Sequence, residues 1–139
     1  MLIPSKVKYR KVQKKRTNKN KTHTETRGTK VSFGSYGLKS LAEGKLKSNQ
    51  IEAARRCIVR SAGKTAKFWI RVFPDRPFTK KPSEVKMGKG KGDVEGFEFK
   101  VMPGRVIFEL DNVSKEIATL ALNKAGSKLP VKTKVVSRE

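Results

Sequence analysis

Hydrophobic positions in this chain are scarce before Val31 and regular after it. Residues 1–30 offer little beyond Leu2, Ile3, Val7, Tyr9 and Val12, too few to bury the surface that offsets chain entropy. That stretch is expected to order mainly on a partner, with Val7, Tyr9 and Arg10 able to pair as a short strand. From Val31 the pattern turns globular: VSFGSYGLKSL alternates and is broken by Gly34 and Gly37 into short strand and turn pieces. In IEAARRCIVRSA, Ile51, Ala54, Ile58 and Ala62 share one helical face, which predicts a helix capped by Ser48 or Asn49 and ending at Gly63. KFWIRVFP carries apolar residues on both faces and reads as a central strand ending at Pro74. GFEFKV and RVIFEL, separated by Met102, Pro103 and Gly104, read as an antiparallel hairpin with Glu98 and Lys100 on a wet face. A second helix starts at Ser114 and ends near Gly126. The wide arc of Ile117, Ala118, Leu120, Ala121, Leu122 and Ala125 predicts that it is mostly buried. PVKTKVV closes the chain as an edge strand with Lys132 and Lys134 facing water. Two helices packed on a mixed, largely antiparallel sheet make an α+β domain over residues 31–139.

Between Pro74 and Val94, PDRPFTKKPSEVKMGKGKGD shows no periodicity, so residues 74–93 are expected to extend from the domain as a loop. Pro74, Pro77 and Pro82 stiffen its first half, whereas Gly88, Gly90 and Gly92 alternate with Lys89 and Lys91 in the second. Glycine lets backbone amides approach a phosphate, and the adjacent ammonium groups supply charge. Met87 could add an apolar contact to a base or sugar. Neither nucleotide-loop pattern fits: Asp93 stands where a dinucleotide fingerprint needs a third glycine, and Gly92 leads into a strand instead of Gly-Lys-Ser/Thr opening a helix.

Charge then narrows the partner. Lys and Arg number 34 against 12 Asp and Glu, a net +22 in 139 residues, and a polyanion is needed to relieve the self-repulsion. Residues 1–30 alone hold Lys6, Lys8, Arg10, Lys11, Lys14, Lys15, Arg16, Lys19, Lys21, Arg27 and Lys30 against Glu25, the composition of a basic RNA-binding extension. A membrane partner is not expected, since neither a long apolar run nor an apolar signal core is visible. The single Cys57 and single His23 cannot assemble a zinc site or a nucleophile pair, so no metal, cofactor or enzymatic activity is expected. Cys57 reads as a small half-buried thiol on the first helix. Trp69 and Phe73 share a strand face and read as core or, on the surface, as stacking partners for bases. On the first helix Arg56 and Arg60 lie opposite the apolar stripe, while Arg55 projects near it and must snorkel or pair.

The segments MLIPSKVKYRK, GTKVSFGSYGLK, QIEAARRCIVR, WIRVFPDRPFTKKPSEVKMGKGKG, PGRVIFELDNV and KLPVKTKVV, in this order and spacing, resemble the bacterial large-subunit ribosomal protein L-sixteen family almost end to end. The resemblance implies an α/β-hammerhead type of domain in the cytoplasmic ribosome. Its implied partners are large-subunit ribosomal RNA, transfer RNA in the aminoacyl site and neighbouring ribosomal proteins, with no homo-oligomer. Carried over by position, Lys6, Lys8, Arg10, Lys11, Lys14, Lys15, Arg16, Arg55, Arg56 and Arg60 are expected to bind ribosomal RNA. Lys80, Lys81, Lys86, Met87, Gly88, Lys89, Gly90, Lys91 and Gly92 would face transfer RNA and the peptidyl-transferase region. One departure is Lys86, where some family members carry an Arg modified by hydroxylation; an ammonium cannot make that residue's paired bonds. The stretch from Thr17 to Glu25 is also longer and richer in Lys and Asn than the family pattern. A non-ribosomal RNA chaperone is the alternative that the composition alone leaves open.

Overall fold

A computed structural model describes all 139 residues. Strands β1 (Tyr36–Ser40), β2 (Gly44–Lys47), β3 (Lys67–Ile70), β4 (Arg76–Thr79), β5 (Val94–Val101), β6 (Val106–Asp111) and β7 (Thr133–Ser137) accompany helices α1 (Ser48–Ala62) and α2 (Lys115–Gly126). The α+β class holds, and every strand pair is antiparallel. The strands divide into a four-stranded sheet, β3-β6-β1-β7, and a three-stranded sheet, β2-β5-β4.

The two sheets share three bent chains. β1 runs into β2, β3 into β4 and β5 into β6, and at each bend the chain leaves one sheet for the other with the same neighbour beside it. This corrects the hairpin expected from GFEFKV and RVIFEL, because β5 and β6 lie in different sheets. Gly104 takes a left-handed φ of 97°, and its amide bonds the Ser40 carbonyl at 2.8 Å, turning the chain along β1 instead of back onto β5. It also corrects the central strand expected at 68–73. β3 is an edge strand that bends near Pro74 and continues as β4 inside the stretch expected to be loop. Edge placement suits the prolines, since Pro77 in β4 has no amide to offer a second neighbour. The central position belongs to β6, in which Val106, Ile107, Phe108, Glu109 and Leu110 are all buried.

Both helices lie against one face of this bent surface, α1 packing on α2, β2 and β5, and α2 on β7 and β1. The buried stripe of α1 is Ile51, Ala54, Ile58 and Ala62, as its 3.6-residue period requires. Its cap lies one residue earlier than expected. Gln50 Oε1 accepts from the Lys47 amide at 2.9 Å, while the Ser48 hydroxyl is diverted to the Leu2 carbonyl at 2.9 Å. In α2, Ser114 caps the helix and only Ala118, Ala121, Leu122 and Ala125 are buried. Ile117 and Leu120 stand 43% and 54% exposed, which corrects the expectation of a mostly buried helix. The small residues of α2 face α1, and alanines permit a close helix approach that leaves the larger side chains outside.

The first 34 residues contain no helix and no strand, and the short strand at Val7–Arg10 is not formed. Bonds from Arg76 to the Gln13 carbonyl, from the Glu25 amide to the Pro103 carbonyl and from the Val106 amide to the Gly28 carbonyl tie this segment to the sheets. Its end is held by one buried acid. Glu109 pairs across the sheet with Gly37 on β1 and Trp69 on β3, on the face opposite Leu38 and Phe108. Its carboxylate accepts from the amides of Ser32 (3.0 Å), Phe33 (2.6 Å) and Gly34 (2.8 Å) and from the Arg71 guanidinium. Burial pushes this carboxyl up, but the three amides and Arg71 outweigh it and hold the group below its ordinary 4.5. Gly34 permits the arrangement, since a Cβ there would lie 2.7 Å from the Leu110 carbonyl oxygen.

A folded-state value below the unfolded one means the stabilisation is complete above the ordinary 4.5 and drains as pH falls below it. Glu109→Gln should lower the unfolding free energy at neutral pH by about 3–5 kcal/mol, since Arg71 loses its buried counter-charge. Urea unfolding of both chains at a series of pH values checks this. The gap between them should close below about pH 4.5, and a pH-independent gap would show that the carboxylate charge is not what holds the segment.

Candidate nucleic-acid interface

The outer face of the three-stranded sheet is a lattice of cations. Register places Lys45 of β2 opposite Lys100 of β5, and both Lys47 of β2 and Arg76 of β4 opposite Glu98. Glu98 was expected on a wet face, but it is 5% exposed, because Val12 and Lys14 of the extension line the same cleft as Glu98, Lys45 and Arg76. Lys45 lies 3.0 Å from the Glu98 carboxylate, and Lys100 lies 3.0 Å from Glu43. Beside them opens a cleft with no apolar lining, bounded by Lys14, Lys15, Thr17, Lys45, Arg76 and Lys100 along with Glu43 and Gly44. One carboxylate among five cations leaves a positive surplus suited to phosphate oxygens.

Of the ten residues expected to bind ribosomal RNA, seven lie on the extension. Lys6, Lys8, Arg10, Lys14, Lys15 and Arg16 are exposed there and Lys11 is half-buried. The other three lie on α1, remote in sequence. Arg55 resolves its ambiguity by pairing: its Nε and Nη2 reach the two oxygens of Glu52 at 2.9 and 2.6 Å, and Arg56 Nε reaches the same carboxylate at 3.2 Å. The Arg55 hydrogen bonds hold the Glu52 carboxyl at about 2 against desolvation, so it stays ionised. Arg60 is exposed and has no carboxylate partner. His23 is exposed and Cys57 half-buried, and no three His, Cys, Asp or Glu side chains gather as a metal set.

Because β4 and β5 pair, residues 80–93 form the loop of a hairpin. Lys86, Met87, Gly88, Lys89, Gly90 and Lys91 are exposed, Met87 by 95%. Gly88, Lys89 and Gly90 all take left-handed φ values of 108°, 57° and 96°. The Lys81 ammonium donates to the Gly88 carbonyl, which folds the tip onto its own base. At that base Gly92 leaves no room for a Cβ, which would lie 2.9 Å from Lys81 Cγ. Lys80 is exposed, and its amide bonds the Asp93 carbonyl at 3.2 Å.

The extension and this loop are strapped together. Lys91 donates to the Val12 carbonyl, Lys11 donates back to the Lys91 carbonyl at 3.2 Å, and Arg76 holds the Gln13 carbonyl at 3.0 Å. Sequence reasoning missed Lys45 and Arg76, since strands β2 and β4 carry too few residues for a period to show, and it put Lys100 on a wet face of β5 without assigning it to RNA. It missed Glu109 as well, although a lone acid inside the apolar run VIFEL is the mark of a buried ion pair. Trp69 stacks its ring on Phe33 with centroids 6.2 Å apart, and Phe73, beyond the end of β3, is exposed. Of the 34 Lys and Arg, seven stand within 4.0 Å of a carboxylate, leaving 27 without one, so the fold cannot neutralise itself. No helix is long and apolar enough to cross a membrane.

Comparison with known proteins gives the family. The family model described as ribosomal protein L16p/L10e matches residues 4–136. A large ribosomal subunit protein uL16 from a Sulfurihydrogenibium strain is 57% identical over 136 residues, covering 98% of this chain and 96% of its own. The protein of the same name from Orientia tsutsugamushi strain Boryong is 54% identical over 139 residues, covering 99% and 98%. That from Halorhodospira halophila is 52% identical over 138 residues, covering 99% and 98%.

Proposed function

The chain belongs to the ribosomal protein L16p/L10e family, and from that premise we propose that it binds large-subunit ribosomal RNA through its basic extension and outer sheet face while its hairpin loop helps shape the aminoacyl-tRNA site. The family is one of structural proteins of the large ribosomal subunit, not of enzymes. Ribosomal RNA and neighbouring ribosomal proteins are therefore its surroundings.

The observation that carries the RNA reading is the cation surplus on one continuous surface. Lys14 and Lys15 of the extension line one cleft with Lys45, Arg76 and Lys100 of the three-stranded sheet, and their exposed side chains add to its charge. A row of cations at polar surroundings neutralises backbone phosphates without reading bases, which suits folded RNA with its narrow, inaccessible deep groove. Arg56 and Arg60 of α1 present a second, separate pair of contacts. The loop suits a different task. Residues 86–90 at its tip are exposed, yet its base is clamped to the extension by Lys11, Lys91 and Arg76. An anchored base with an open, lysine-rich tip can reach a second RNA that comes and goes, and transfer RNA in the aminoacyl site is that partner. Lys86 at the tip supplies a point charge rather than a guanidinium fork, so its contact is to phosphate rather than to a fixed base edge.

Binding of the full chain to large-subunit ribosomal RNA should weaken steeply with salt, with a log–log slope on the order of −7 to −9 if roughly ten phosphates are engaged. A slope near zero would remove the electrostatic mechanism. In cell extracts the protein should sediment stoichiometrically with the large subunit after a moderate salt wash. A distribution smeared over all RNA would instead favour a general chaperone.

Deleting residues 82–91 and closing the hairpin with a two-residue turn leaves β4, β5 and their pairing intact. Large subunits should still incorporate the shortened protein, with slower accommodation of aminoacyl-tRNA. Normal accommodation in fully incorporated subunits would refute the role of the loop.

A further inference from the structure

We propose that Phe33 is a preformed stacking platform for one unpaired nucleobase of the large-subunit RNA, an inference that rests on the RNA-binding reading above. Phe33 is 56% exposed, although Trp69 and Arg71 both approach its ring. A phenylalanine that serves only to close a core is buried. This one is held in place and left open.

Its immobilisation comes from three directions. The Phe33 amide donates to Glu109 Oε2 at 2.6 Å, and the flanking amides of Ser32 and Gly34 donate to the same carboxylate. Trp69 supports the ring at 6.2 Å between centroids, with the planes 24° apart. The Arg71 guanidinium lies 4.9 Å from the Phe33 centroid and is itself fixed by Glu109. Stacking a base on such a ring therefore loses little further side-chain freedom, the condition under which an aromatic contact contributes most to binding.

The border of the ring selects the partner. Lys30, three positions before Phe33, and Lys67, two before Trp69 on β3, are exposed, and Arg71 bonds the Lys30 carbonyl at 3.4 Å, which draws that residue to the ring. The nearby carboxylates are already engaged, Glu109 by Arg71 and the amides, and Asp111 by the Ser35 hydroxyl at 2.6 Å. An apolar protein partner would need a wider apolar surface than one ring framed by Ser32, Ser35 and cations. A flat, neutral π-face inside a cationic frame matches a nucleotide, whose base stacks while its phosphate meets the lysines. The site lies on the four-stranded sheet, apart from the lysine cleft of the other sheet.

Two measurements on the full chain test this. Phe33→Leu should weaken binding to large-subunit RNA by about ten-fold with the salt slope unchanged, since a stack and no phosphate contact is lost. Phe33→Trp should retain wild-type affinity. Ultraviolet irradiation of assembled wild-type large subunits should yield an RNA-linked peptide carrying the adduct on Phe33. Unchanged affinity of Phe33→Leu alongside a steep wild-type slope overturns the platform and leaves the RNA reading standing. A lowered slope in Phe33→Leu, or an adduct from Phe33 to a protein neighbour, overturns it too. A flat wild-type slope instead removes the RNA reading itself.

Discussion

One carboxylate buried in the central strand organises the rest of this molecule. β6 must be covered on both faces because all but its last residue are buried, and the helices supply cover for one face only. On the other face Glu109 cannot stay charged without partners, and partners can come only from chain that is not yet committed to the sheets. Arg71 arrives from beyond the end of β3, whose amide ladder it prolongs by bonding the Ile107 carbonyl at 2.8 Å. The amides of Ser32, Phe33 and Gly34 arrive from the chain just before β1. An apolar residue at the same position could bury as well, but it would impose no direction on these segments. The acid decides where the basic extension meets the domain, and with it which face of the sheet becomes the cationic one.

Charge then sets the division of labour between the two faces. The helix side is where the apolar side chains meet, and the outer side of the three-stranded sheet is where Lys14, Lys15, Lys45, Arg76 and Lys100 gather around one cleft. Laying a cationic extension over a cationic sheet is unfavourable unless acids lie between them. Glu98 and Glu43 take that place, with Lys45 and Lys100 as their partners. Other contacts to the extension use its backbone carbonyls at Val12 and Gln13, which accept from Lys91 and Arg76, while Lys11 is the extension side chain drawn back to the loop, at the Lys91 carbonyl. Backbone anchoring of this kind keeps a segment ordered without consuming the charges it has to present.

Much of this was legible in the residues, and the failures have common causes. Both helices, the closing edge strand and the two-helix α+β class follow from periodicity, because α1 and α2 are long enough for a 3.6-residue pattern to register. The bent strands were not legible. β2 and β4 have four residues each, too short to establish alternation, and a bend that exchanges sheets resembles a turn that closes a hairpin. Glu98 and Lys100 were expected in water because alternation says which face a residue takes, not what later covers that face. The cover comes from residues of the extension that have no pattern of their own. Phe33 was passed over for the same reason: it sits before a short strand, and its importance lies in partners supplied by Arg71, Trp69 and Glu109, which are at least 36 positions away. The cationic residues on the extension and the loop needed no geometry, since an uncompensated charge of this density is visible in composition.

The same electrostatics distinguishes the arginines of α1 from one another. Glu52 sits one turn before both Arg55 and Arg56, and its carboxyl, held at about 2, stays charged throughout the physiological range. It therefore competes with any phosphate for the two guanidiniums. Arg55 meets it with two nitrogens, at 2.9 and 2.6 Å, and giving up that fork would leave a half-buried cation with nothing in exchange but a phosphate that must reach inward. Arg56 touches it through Nε alone and is otherwise open, while Arg60 has no carboxylate at all. The phosphate contacts proposed for this helix therefore fall to Arg60 and the free end of Arg56, while Arg55 holds Glu52, which in turn binds Arg56. The carboxylate one turn away decides which of them face outward.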